Sequence, residues 1–237
     1  MYIDKSQFLN YSCGIPTLGC GIPNGEKNLA SQAYDRIKKG ILSLEFPPGS
    51  SLQERALAEE LGVSRTPVRE AVHRLSQEGW ITVNSRRNIE VRSVSPVEIR
   101  EVFQARWLLE RDALDLIFSG DLFRQTGRHM TNMLSFMKES QNNLHDFILA
   151  DQSFHAIFFQ ILGNSRLQRF WNSVSEEMIW LGMLAMNEKR YEAVLGEHGR
   201  VVEALIARRK RDAKDALQDH LEITEDVLIK KIETITS

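Results

Sequence analysis

The stretch "ADQSFHAIFF", residues 150–159, sets an acid and a histidine into otherwise core-like sequence. Its apolar residues suit a helix packed into an interior. Asp151 and His155 lie four apart, so they stack on one face of that helix. A buried carboxylate is costly unless something compensates it. Two further histidines fall on apolar stripes. His198 follows Val194 and Leu195 and precedes Val201, Val202 and Leu205, and His220 sits among Ala216, Leu217, Ile223 and Thr224. A lone histidine in such a setting is more often a satisfied core residue. Two of them, with the inward Asp-x-x-x-His pair, also make a four-ligand set for a metal. His73, His129 and His145 lack that context.

A second constellation lies in "LAEELGVSRTPVREAVHRLSQEGW", 57–80. Two helices are joined there by a turn of about four residues containing Gly62, the spacing of a helix-turn-helix. Val68, Ala71, Val72 and Leu75 share one side of the second helix and should pack inward. Arg65, Arg69 and His73, with Thr66 between, fall on the other side. A cationic face that begins at a helix N-terminus suits a recognition helix in the major groove, where Arg pairs with guanine or phosphate. The dipole favours phosphate at that end. The plainer alternative is a solvated charged face. The segment that follows, "WITVNSRRNIEVRSV", alternates like two short strands around a polar tip at Asn84–Asn88. The tip carries Arg86 and Arg87, with Arg92 further along. A basic hairpin beside a helix-turn-helix reads as a winged helix whose wing tracks phosphates or the minor groove.

Positioning these groups requires two kinds of scaffold. Residues 1–28 contain "CGIPTLGCGIP", too dense in Gly and Pro for a helix, and read as a flexible arm. Cys13 and Cys20 in that arm are too few for a strong metal site. Helical spacing runs from about Leu29 to Leu44 and "FPPGS" ends it. A short helix follows at about 53–61. Ser64 reads as the N-cap of a third helix, with Pro67 in its first turn, and Gly79 closes it. After Pro96 the chain reads as helices at about 96–119, 121–139, 144–162, 165–186, 189–209 and 211–234. The expected fold is mainly α. A winged helix-turn-helix at 29–94 precedes an antiparallel bundle of about six helices at 95–237.

The bulk numbers fit a soluble chain. Of the 237 residues, 42% are hydrophobic and 26% charged, with a net charge of −2. No apolar run approaches the length of a membrane span, and no secretory signal is evident, so a cytoplasmic protein is expected. Residues 31–93 hold ten Lys/Arg and eight Asp/Glu, a balance of +2 that leaves −4 elsewhere.

Residues 52–83, "LQERALAEELGVSRTPVREAVHRLSQEGWITV", resemble the DNA-binding domain of GntR-type bacterial transcription regulators. The Ser-Arg-Thr-Pro-Val-Arg-Glu-Ala run joins an upstream Arg and a downstream Gly-Trp. The resemblance implies DNA contacts by Arg55, Arg65 and Arg69. It extends less directly to Arg86 and Arg87, because "NSRRN" stands where the family's wing tip often has Gly. Residues 96–234 resemble the helical effector domain of the FadR-like branch, called FCD, through "EVFQARWLLERDAL", the Asp-x-x-x-His pair and the two later histidines. Many FCD domains bind a divalent metal through one Asp and three His, which implies Asp151, His155, His198 and His220 here. Zn²⁺, Ni²⁺, Mn²⁺ and Fe²⁺ all suit such a set. Arg106 lies on the stripe Ile99, Val102, Phe103, Arg106, Ala113, Leu114 and needs an anionic partner. That partner is either Glu110, four residues on, or the carboxylate of a small organic-acid effector.

The expectation is therefore a regulator rather than an enzyme. It should bind a double-stranded operator as a homodimer and respond to a small carboxylate in a metal-containing pocket. One rival is a metalloenzyme acting on a small organic acid, with the N-terminal domain as a docking module. No dedicated nucleophile, lid or general base accompanies the ligand set. Another rival is a structural adaptor whose helices only dimerise.

Overall fold

The structure is a computed structural model that describes residues 28–84 and 88–236. Arg86, Arg87, Cys13 and Cys20 lie outside the described residues. The chain divides into two compact units between Val94 and Ser95.

In the N-terminal unit, α1 (Leu29–Leu42) starts at Asn28, whose side chain accepts a hydrogen bond from Ala30 N. Strand β1 (Ser51–Leu52) leads into α2 (Glu54–Leu61) and α3 (Arg65–Gln77). Strands β2 (Ile81–Val83) and β3 (Ile89–Val91) form the hairpin, and Asn84 N donates to Asn88 O across its base. The sheet order is β1-β3-β2, all antiparallel, with Leu52 opposite Ile89 and Ile81 opposite Val91. The third strand was not among the sequence expectations, because two residues carry no periodicity. Ile37, Ile41, Val68, Leu75 and Val91 form the sealed centre of this unit. Each side chain so buried contributes about 1.5–3 kcal/mol.

Gly62 closes α2 with φ +64°, and a Cβ added there would meet nothing within 4 Å. The cost of a side chain is then the left-handed backbone alone. Gly62→Ala is expected to destabilise by about 1–2 kcal/mol, read as a lower urea midpoint with unchanged slope.

The C-terminal unit is helical throughout. It comprises α4 (Pro96–Ser119), α5 (Phe123–Glu139), α6 (Leu144–Leu162), α7 (Ser165–Ala185), α8 (Tyr191–Ile206) and α9 (Lys210–Thr236). Local chemistry sets the helix starts. Ser95 and Glu98 make a reciprocal capping box with Pro96 at the first turn of α4. Gly163, at φ +62°, ends α6, and Asn164 caps α7 by accepting from Arg166 N and Leu167 N. The break expected between 186 and 189 is there, but a 3₁₀ turn, Glu188–Arg190, occupies the expected helix start, so α8 begins at Tyr191. Helix α6 is the spine of the bundle, packed against α4, α5 and α7 and burying Phe147, Phe154, Phe158 and Phe159.

Candidate metal centre and nucleic-acid interface

Asp151 and His155 of α6, His198 of α8 and His220 of α9 are all buried, and one ligand atom from each lies within 4.8 Å of the others. His155 Nε2 is 3.1 Å from His198 Nε2, which is 3.2 Å from His220 Nε2. Asp151 Oδ1 is 3.5 Å from His198 Nε2. The outer ring nitrogens of two of these histidines are held by carboxylates. His155 Nδ1 donates to Glu110 Oε2 at 2.6 Å, and His220 Nδ1 donates to Glu197 Oε2 at 2.8 Å. An ionised carboxylate only accepts, so with Glu110 and Glu197 ionised each Nδ1 carries the proton and each Nε2 presents a lone pair inward.

Three ring nitrogens therefore converge with more lone pairs than protons. His198 Nε2 can donate to one neighbour at most. Asp151 Oδ1 has no hydrogen-bond partner, while its Oδ2 accepts from Gln152 Nε2 at 2.7 Å. A cation at the centre would satisfy all four. Ligands about 2.1 Å from a metal stand roughly 3.0 Å apart at right angles and roughly 3.4 Å apart in a tetrahedron. The nitrogen separations fit that range.

The electrostatics agree. Burial pushes the Asp151 carboxyl up, against the pull of nearby Arg106. Burial, reinforced by Arg106, holds His155 well below the ordinary histidine range. Burial and the neighbouring His220 do the same for His198. Neutral imidazole is the form a metal needs.

Arg106 is fully buried, and its Nε donates to Glu110 Oε1 at 2.6 Å. Both partners considered for it from sequence remain in play. Glu110 takes Nε, yet Nη2 has no hydrogen-bond partner. Burial raises the Glu110 carboxyl, and Arg106 opposes that rise. A cavity of about 10 Å³, room for about one water, touches Asp151, Gln152, His220 and Thr224 on its polar side. Gln152 Oε1 and Thr224 Oγ1 have no partners. Glu197 escaped the sequence reading. It neighbours His198 along α8, but it serves His220, 23 residues away.

In the N-terminal unit, α3 has the two expected faces. Val68, Ala71, Val72 and Leu75 are buried, while Arg65, Thr66, Arg69 and His73 are exposed. Ser64 occupies the N-cap position but makes no side-chain cap bond, so the first amides of α3 remain open to an anion. Arg55 and Arg65 line one shallow depression with Gly62 and Ser64. Arg69 Nε pairs with Glu54 at 2.8 Å and Arg55 Nε pairs with Glu59 at 2.8 Å. Both pairs are exposed, and such pairs contribute about 0–1 kcal/mol, so a phosphate or base can replace the carboxylate.

This helix-turn-helix geometry has a counterpart in known proteins. Residues 29–91 match the gntR family of bacterial regulatory proteins, and residues 101–223 match the FCD domain. The chain belongs to the gntR family and carries an FCD domain. It is 26% identical over 196 residues to the HTH-type transcriptional regulator YdhC of Bacillus subtilis, covering 80% of this chain and 86% of that protein. Its fold matches that of McbR/YncC from E. coli, with a TM-score of 0.70 and 21% identity over 86% of this chain and 99% of that one. It also matches the metal-free FCD domain of TM0439, with a TM-score of 0.52 and 20% identity over 60% of this chain and 99% of that one. The gntR-family chain is thus a DNA-binding transcription regulator. Its families and relatives are regulators rather than enzymes, which removes the metalloenzyme alternative. No helix among the described residues is long and apolar enough to cross a membrane.

Proposed function

We propose that this regulator binds its operator as a two-fold dimer and is controlled by a small carboxylate that enters a metal-containing bundle core. The convergence of three histidine Nε2 atoms on an unpartnered Asp151 oxygen carries the reading. Asp151, His155, His198 and His220 would hold a divalent ion, whose remaining coordination positions would supply an anchor for a carboxylate. The free Nη2 of Arg106 would take the same anion by a charge-assisted hydrogen bond. Arg55, Arg65, Thr66 and Arg69, with Arg86 and Arg87 of the wing, would contact DNA. Val97 and Leu108, exposed on α4, are available to a partner subunit.

The cavity beside the ligand set holds little more than a water. A larger ligand can enter only if the surrounding helices yield, which ties occupancy to conformation. Helix α4 carries Arg106 and Glu110 and begins two residues after the N-terminal unit ends. Helix α4 is therefore the covalent link through which a change in the core would act on the DNA-binding unit.

The test is metal analysis of the purified protein, then a thermal-shift screen of small carboxylic acids and gel shifts with those that bind. Arg106→Ala should weaken the best acid roughly 10- to 150-fold, the equivalent of about 1.5–3 kcal/mol for a hydrogen bond to a charged group. The variant should bind operator whether or not the acid is present. Unchanged affinity for the acid by calorimetry would leave Glu110 as the partner of Arg106 and put the pocket elsewhere.

A further inference from the structure

We propose that Arg190 and Glu197 form a positioning clamp that sets the metal affinity of the centre from a surface turn. The inference rests on the metal reading above. Arg190 ends the 3₁₀ turn between α7 and α8. Its Nη1 and Nη2 donate to Glu197 Oε1 and Oε2 at 2.6 and 2.9 Å, a two-pronged fork. Glu197 Oε2 also accepts from His220 Nδ1 at 2.8 Å. The carboxylate is thus fixed on both oxygens before it meets the ring, so the position of the Nδ1 proton and the plane of the imidazole are fixed with it. His220 Nε2 then faces the centre with its lone pair. The negative charge on Glu197 makes that nitrogen a better donor to a cation.

The three histidines are not held alike. His155 relies on Glu110, which is sealed in the core with Arg106. His198 Nδ1 has no hydrogen-bond partner, and its ring stacks on Phe154 with centroids 4.1 Å apart. Only the His220 clamp reaches outward, because the Arg190 side chain remains 14% exposed. Met186, which ends α7 four residues before Arg190, lines the small cavity along with His220. The turn therefore meets the centre at two points, through the cavity wall and through the fork. Any movement of the turn that opens the fork releases the His220 ring.

The test uses the full chain stripped of metal. Co²⁺ is titrated by its visible absorption, and Zn²⁺ affinity is measured by competition with a chelator. Glu197→Gln keeps an oxygen acceptor for Nδ1 but loses the charge. It is expected to weaken both metals by about 10- to 100-fold and to shift the Co²⁺ spectrum. Arg190→Ala should weaken them less, in the same direction, and Arg190→Lys should restore part of the loss. If Glu197→Gln does not fold, Arg190→Ala decides alone, since it alters a partly exposed side chain. A lower melting temperature of the metal-free variants, with unchanged Co²⁺ affinity and spectrum, would make the fork merely structural and overturn the clamp. Failure of the wild type to bind Co²⁺ or Zn²⁺ would instead overturn the metal reading, and the clamp with it.

Discussion

Replacing His198 and His220 together with alanine is expected to abolish metal binding, while the wild type retains roughly one ion per chain as purified. The two rings come from α8 and α9 and supply two of the three converging nitrogens. With only Asp151 and His155 left, one face of one helix remains, and a single-helix pair cannot enclose an ion. A ligand that binds only the folded state stabilises it by about 2.7 kcal/mol at a hundred times its Kd and about 4.1 kcal/mol at a thousand times. For a chain of this size that amounts to roughly 5–15 °C in melting temperature. Chelator should therefore lower the wild-type Tm by about that amount and leave the double variant unmoved. Equal metal content in the two proteins, or an identical response to chelator, would reduce the cluster to core packing. The double variant should still fold, because alanine removes the inward lone pairs that no proton satisfies. It does strand Glu197, but Arg190 remains to hold that carboxylate. Burial alone would raise the Glu197 carboxyl, yet the His220 hydrogen bond and the Arg190 fork together keep it below its ordinary value.

The clustering of Asp151, His155, His198 and His220 was legible because each member announces itself locally. A histidine on an apolar stripe stands out against its neighbours, and an Asp-x-x-x-His pair must share a face on any helix. Helix boundaries were legible for a similar reason: Pro96 opens α4, and Gly163 and Asn164 end α6 and cap α7 through chemistry within a few residues, whereas the Ser95 capping box was not read. What could not be read is long-range pairing of groups that look ordinary in their own helix. Glu197 beside His198 resembles any helical glutamate, since residues one apart do not face each other. Its partners lie seven residues back, at the N-cap of α8, and 23 residues ahead, in α9. The break between α7 and α8 was legible, since helices were expected to end near 186 and restart near 189, but its 3₁₀ form at Glu188–Arg190 was not, because a single turn carries no periodicity of its own. Strand β1 exists only because β3 offers it a free edge, a tertiary fact that two residues cannot encode. Arg106 is the instructive intermediate case. Its stripe position correctly demanded an anion, and its i+4 neighbour supplied one for Nε, but only the folded arrangement separates Nε from Nη2.

Arg65→Ala and Arg69→Ala are expected to erase operator preference while leaving the melting temperature within about a degree of wild type, as surface substitutions usually do. Both side chains stand on the exposed face of α3, opposite the buried Val68, Ala71, Val72 and Leu75, so truncation opens no cavity. The two should differ in detail. Arg65 sits at the first turn of α3 beside Ser64, whose hydroxyl caps nothing, and so lies where a phosphate or the nearest base edge would approach the open amides. Arg69 is one turn on and must first leave Glu54. The exchange is cheap, since an exposed pair contributes about 0–1 kcal/mol. Losing a bidentate base contact costs about 1–3 kcal/mol, roughly 5- to 150-fold in operator affinity, with little change on unrelated DNA. Wing substitutions at Arg86 and Arg87 should behave oppositely. They should weaken all sequences alike and reduce the slope of log affinity against log salt by about one per phosphate contact removed. Glu54→Gln supplies an internal control, because it frees Arg69 without removing it and should leave the preference intact. Gel-shift titrations on operator and random duplex at two salt concentrations separate these outcomes. Retained preference in both α3 variants would mean that α3 positions the protein on the backbone and that sequence is read elsewhere.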